Sequence, residues 1–179
     1  MNVKHAAAGI ALLFSALGAA HAATYSYTGN TTAGPTFNRP VTTTDLSVVG
    51  TAVHYDAFTF SVNVSGVYSF VSNAETYDNY TVLYDGAFNP AAPLINVAEI
   101  NDDIGGTVGT SGFLTYLAAG SPYTYVNTGF ENADAGKFSA SITGDGNIAP
   151  VPEPESYAML AAGLGLLGVV RRRQARGRA

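Results

Sequence analysis

The amino-acid sequence predicts an all-β domain, a jelly-roll-like β-sandwich, set between two export segments. Three observations carry this. Short stretches alternate apolar and polar residues with period two, turn signals separate them at regular intervals, and no segment of the central region holds a helical period. The chain has 179 residues, 20 of them Gly, with 11 Tyr, 9 Phe, no Trp and no Cys. An exported chain without Cys forms no disulfide, so burial must hold the fold together.

The ends are set aside before the fold is read, because targeting segments imitate structure. Lys4 and His5 precede an apolar run, Ala6 to Leu17, which leads to Ala20-His21-Ala22. This is the charged, apolar and small-residue order of a secretory signal, with cleavage expected after Ala22, so residues 1–22 are assigned to it. At the other end Val151-Pro152-Glu153-Pro154 precedes an apolar run from Tyr157 to Val170, which Arg171-Arg172-Arg173 close. Prolines stop helix propagation from the preceding domain. The apolar run is expected to insert as a transmembrane sorting helix, with the arginines as a membrane-anchoring basic cluster on the cytoplasmic side.

Residues 23–52 are rich in Thr, Ser, Gly, Asn and Pro, and Tyr25 and Tyr27 alternate as an edge strand would. Phe58, Phe60, Val62 and Val64 alternate with polar residues, Ser65-Gly66 turns the chain, and Val67 to Val71 returns, which reads as a hairpin. Further strands are expected at Thr81–Tyr84, Leu94–Ile100, Phe113–Leu117, Tyr123–Val126 and Phe138–Ile142. The candidate core is Phe58, Phe60, Tyr68, Phe70, Val82, Tyr84, Leu114, Tyr125, Phe138 and Ile142. The sandwich is therefore placed at residues 53–144, a linker at 145–150 and the sorting tail at 151–179.

Between Thr24 and Pro150 eleven acidic residues face only Arg39 and Lys137, a net charge of −9. So acidic a domain repels phosphates, which excludes nucleic-acid binding and leaves divalent cations or cationic polymers as charged partners. Without Cys there is no thiol chemistry. Outside the signal His54 is the single histidine, beside Tyr55-Asp56, and a Ser-His-Asp triad would have to use it. Calcium prefers hard oxygen ligands. Asn101, Asp102 and Asp103 in a Gly-rich stretch, with Asp78 before a neighbouring strand, are calcium candidates. Asn79 and Asp85 stand close by, and turn capping is the structural alternative for all of these residues.

Val-Pro-Glu-Pro, a Leu/Gly/Ala-rich run and an arginine cluster, in this order, resemble the PEP-CTERM sorting domain. The resemblance implies processing near Pro152-Glu153-Pro154 by an exosortase, a membrane-embedded cysteine protease. It also implies transient anchoring in the inner membrane of a Gram-negative bacterium, then a place at the cell surface or outside the cell, with exopolysaccharide or biofilm. Leu83-Tyr84-Asp85, Asn101-Asp102-Asp103, and Ala119-Gly120 with Tyr123 to Val126 resemble the bacterial pre-peptidase C-terminal domain, a jelly-roll-like sandwich. Tyr55-Asp56-Ala57-Phe58 resembles the FxDxF group of PEP-CTERM proteins, with Tyr where that group has Phe. These resemblances imply a non-enzymatic binding or assembly module. The alternatives from other classes are a small secreted carbohydrate-active enzyme using paired carboxylates and an adhesin-like module exposing an aromatic patch.

Overall fold

The computed structural model describes residues 22–151 and 162–164. Ten strands follow in chain order: β1 (Ala23–Asn30), β2 (Thr36–Phe37), β3 (Val53–Val62), β4 (Gly66–Asn73), β5 (Asn79–Asp85), β6 (Val97–Asn101), β7 (Thr110–Leu117), β8 (Pro122–Gly129), β9 (Lys137–Gly144) and β10 (Ile148–Pro150). They form two antiparallel sheets. One has the order β1-β9-β4-β7. The other runs β10-β3-β8-β5-β6, and β2 shares the outer edge of β3 with β10.

The sheets face each other across an aromatic core. Phe60, Tyr68, Phe70, Leu83, Leu117, Tyr125 and Ile142 are buried in it, with Tyr25, Tyr27, Phe58 and Phe113 packed around them. The ring of Phe70 lies 5.0 Å from those of Phe113 and Tyr125 and 6.0 Å from that of Phe60. A second cluster covers the outer face of the second sheet. There Phe37, Val53, Tyr80, Val82, Tyr84 and Val126 are buried, with Tyr55 and Phe88 against them. β5 is thus buried on both faces: Leu83 points between the sheets, while Val82 and Tyr84 point outward beneath loops. The Tyr84 hydroxyl donates to the Pro93 carbonyl at 3.0 Å.

Three sequence expectations change here. The segment pair read as a hairpin around Ser65-Gly66 is an arch: β3 pairs with β8, and β4 with β7 and β9, so the chain crosses between sheets. Both strands carry large apolar side chains on one face, and crossing lets Phe60 meet Phe70 through the core. Leu114 is not core but 69% exposed, because the inward set of β7 is Phe113 and Leu117, one residue out of step. The stretch read as a linker, 145–150, contains β10, whose Ile148 is buried against the core and pairs with Val62.

The edge strand expected at Tyr25 and Tyr27 is β1, paired along its length with β9. The sandwich therefore runs from residue 23 to residue 150. Among the described residues no helix is long and apolar enough to cross a membrane. The signal peptide, the remainder of the sorting motif after Val151 (Pro152, Glu153, Pro154) and Arg171, Arg172 and Arg173 lie outside the described residues.

Phe70→Ala removes the ring at the centre of the stack and is expected to cost about 3–5 kcal/mol. Leu114→Ala, on the solvent face, should stay within about 0.5 kcal/mol of wild type. Chemical denaturation of both variants checks the assignment of faces.

Candidate functional site

Three carboxylates meet at one end of the second sheet. Asp78 ends the turn before β5, and Asp102 and Asp103 follow β6. One oxygen from each lies within 4.8 Å of the other two. Gly109 brings the two turns together. Its φ is +83°, and a Cβ there would stand 2.6 Å from the Ala74 carbonyl oxygen, so the approach requires glycine. The Ala74 N–H donates to the Gly109 carbonyl at 2.8 Å, and the Phe130 N–H to the Asp78 carbonyl at 2.9 Å.

The cluster is under electrostatic stress. Asp78, Asp102 and Asp103 each have a buried Oδ1 without a hydrogen-bond partner. Burial, with Asp78 and Asp103 as like charges, pushes the Asp102 carboxyl from 3.8 up to about 6. Burial and the charge of Asp103 also raise Asp78. Such a set of hard oxygens suits a divalent cation, which would relieve the repulsion. Of the sequence candidates, Asn101 faces elsewhere: its Oδ1 accepts from the Gly112 N–H at 2.9 Å, tying β6 to β7. Asn79 is buried, with its amide donating to the Ser72 hydroxyl at 3.0 Å. Asp85 sits at the far end of β5, away from the cluster.

Sequence reading passed over Arg39. It is 1% exposed, and its guanidinium lies 3.9 Å from the Tyr80 ring centre and 4.6 Å from that of Phe130. Its Nε donates to the Phe130 carbonyl at 2.8 Å. Burial lowers its pKa, while Tyr80 and Asp102 oppose the shift. Arg39 therefore pins the 38–50 loop over the sheet and offers the acidic cluster its nearby positive charge. The one available signal was its position as one of two cations in an acidic domain. His54 is held by structure: its Nδ1 donates to the Gly34 carbonyl at 2.6 Å.

Two further surfaces stand out. A groove of about 760 Å³ lies on the outer side of β3, walled by Tyr55, Ala57, Thr59, Phe88 and Pro90, with Val151 at one end and Asp56 as its single carboxylate among the described residues. The outer face of the first sheet is rich in hydroxyls, with Val67 and Val71 of β4 among them. Thr24, Ser26 and Thr28 of β1, Ser139, Ser141 and Thr143 of β9, and Ser69 of β4 alternate with the core residues of their strands. Leu114 and Tyr116 stand exposed at its β7 margin, where Val67 pairs with Tyr116 and Ser69 with Leu114.

Comparison with known proteins bears on the C-terminal end of the domain. Residues 150–174 match the PEP-CTERM protein-sorting motif. The chain thus carries the signal that exosortases recognise, and it is an exported protein. The match begins at Pro150, the last residue of β10, so the sorting motif starts inside the sandwich. Among solved structures, the fold is similar to the pre-peptidase C-terminal domain of collagenase from Bacillus anthracis, at 15% identity and a TM-score of 0.42, over 66% of this chain and 88% of that one. No curated protein matches the chain.

The acidic cluster gives a pH dependence whose sign is fixed. Without a cation, Asp102 holds its proton to about pH 6 in the folded state and only to about 3.8 when unfolded. Its contribution to stability is present below the unfolded value and is lost as pH rises through about 6. The cation-free protein should therefore melt lower at pH 7 than at pH 4.5. Were calcium bound with a Kd near ~1 mM, as in extracellular modules, ~10 mM would restore about 1.4 kcal/mol at pH 7. It should do little at pH 4.5 and nothing in Asp102→Asn/Asp103→Asn. A melting temperature at pH 7 that ignores calcium would leave these acids as turn residues.

Proposed function

We propose that this chain is a non-catalytic module of the extracellular matrix, delivered by exosortase processing and retained through contact with exopolysaccharide. The observation that carries the polysaccharide reading is the outer face of the first sheet. It is broad and strand-regular: β1 and β9 present hydroxyls, β4 presents Val67 and Val71 on either side of Ser69, and Leu114 and Tyr116 add an apolar margin. Hydroxyl-bearing polymers offer the same donor and acceptor groups, and a tyrosine ring can cover the apolar face of a sugar. The domain's net negative charge would favour neutral or cation-bridged glycans over strongly anionic ones.

In this reading the cluster of Asp78, Asp102 and Asp103 is a structural calcium site. The ion would fix the loop after β6 against the turn before β5, in a compartment where calcium is plentiful and disulfides are absent by composition. Anchoring by Arg171, Arg172 and Arg173 would be transient, ending when the tail is removed.

Co-sedimentation with the host's purified exopolysaccharide tests the proposal. Wild-type protein should pellet with the polymer, and Tyr116→Ala/Leu114→Ser should lose at least about tenfold in apparent affinity, a loss of about 1.4 kcal/mol. Both positions are exposed, so the variant should melt within a few degrees of wild type. Equal pelleting of the two proteins would remove this face from the reading, and failure of the wild type to pellet would remove the polysaccharide.

A further inference from the structure

The acidity of the domain is confined to one of its two sheets and to the connecting segments. The strands of the first sheet, β1, β4, β7 and β9, contain no Asp or Glu, and their one charged residue is Lys137. The eleven acids between Thr24 and Pro150 lie on β3, β5 and β6 of the second sheet or between strands. Arg39 and Lys137 are the basic residues of that stretch. Arg39 is buried, whereas Lys137 is exposed, so the cation that meets solvent stands on the sheet that carries no carboxylate.

Lys137 opens β9 on the outer face, because Phe138, Ala140 and Ile142, which alternate with that face, are buried. Ser139 follows it on the same face, about 7 Å along the strand. Ser139 stands opposite Thr28 of β1 on one side and Asn73 of β4 on the other, and Ser141 stands opposite Ser26. These five side chains rim a hollow of about 380 Å³, which falls within the range of about 300–1,000 Å³ typical of small-ligand sites. An ionised carboxylate only accepts hydrogen bonds. Here the serine and threonine hydroxyls, the Asn73 amide and the Lys137 ammonium can all donate, and no acceptor-only group shares the strands with them.

We propose that this hollow, with Lys137 beside it, takes a carboxylated sugar, a uronate, from a sparsely charged glycan. The inference rests on the polysaccharide reading above and names the sugar class within it. Charges are screened over about 8 Å at physiological ionic strength. A single carboxylate seated at Ser139 therefore feels Lys137 far more than the acids of the other sheet. A polymer charged at every sugar would instead lie against Glu75, two residues beyond Asn73, and Asp134, three before Lys137, and the summed field of the domain would repel it. One exposed cation thus selects one acid group in an otherwise neutral stretch, and the hydroxyls on β1 and β9 contact its neutral neighbours.

Co-sedimentation with the host's exopolysaccharide in two forms tests it, one native and one with its carboxyl groups chemically reduced to alcohols. Wild-type protein should bind the native polymer about three- to fivefold more tightly than the reduced one, the scale of an exposed ion pair. The preference should fade in ~1 M salt, where screening reaches about 3 Å. Lys137→Gln should bind both forms alike, at the level wild type shows with the reduced polymer, and Lys137→Arg should keep the preference. The position is exposed, so these variants should melt with the wild type. Equal binding of both polymers by wild type overturns the uronate and leaves the polysaccharide reading in place. A preference that survives in Lys137→Gln overturns the assignment to this end of the sheet. Wild type that pellets with neither form overturns both readings together.

Discussion

The packing of Phe60, Phe70, Phe113 and Tyr125 between two sheets is the interaction on which the rest of the domain depends. There is no disulfide to close the sandwich, and these rings join β3 and β8 of one sheet to β4 and β7 of the other. Aromatic pairs at centroid distances of 5 to 6 Å add to the burial of their area. The arch between β3 and β4 exists to make this contact. Given the two sheets, the turn after β6 meets the turn before β5, and the acidic cluster is assembled from segments 24 residues apart.

Arg39 provides a second constraint, on the outer side. A guanidinium buried against Tyr80 and Phe130 lets a polar loop lie over the second sheet, so that β5 is covered on both faces. The same charge lies within Coulombic reach of Asp78 and Asp102. A single buried cation therefore serves both the packing of the loop and the tolerance of nearby carboxylates, which explains its place in a domain otherwise so acidic.

Much of this was legible in the sequence because strands with one buried face write their pattern locally. Phe60, Tyr68, Phe70, Tyr125, Phe138 and Ile142 show alternation and are buried. Pairing partners are not local. The turn at Ser65-Gly66 looks the same whether the next strand lies beside the first or across the core from it. Leu114 and Phe113 are both apolar, so alternation alone could not choose between them. Ile148 is the one large apolar residue between Gly146 and Pro150, too short a pattern to mark β10. For the acids, the clustering of Asp102 and Asp103 was visible in the loop composition, but the turning of Asn101 toward Gly112 depends on where β7 lies. Arg39 was hidden because its partners, Tyr80 and Phe130, are distant in sequence and aromatic.

The sorting motif and the sandwich share Pro150, so the end of the fold and the start of the processing signal are one continuous piece of chain. A cut on the far side of Val151 leaves β10 whole and the core around Ile148 closed. Intact-mass analysis of the mature protein recovered outside the cell tests this most directly. The expected species begins at Ala23 and ends beyond Val151 but before Tyr157, without Arg171, Arg172 and Arg173. A mature species that keeps those arginines, or one cut before Ile148 with loss of β10, would contradict it.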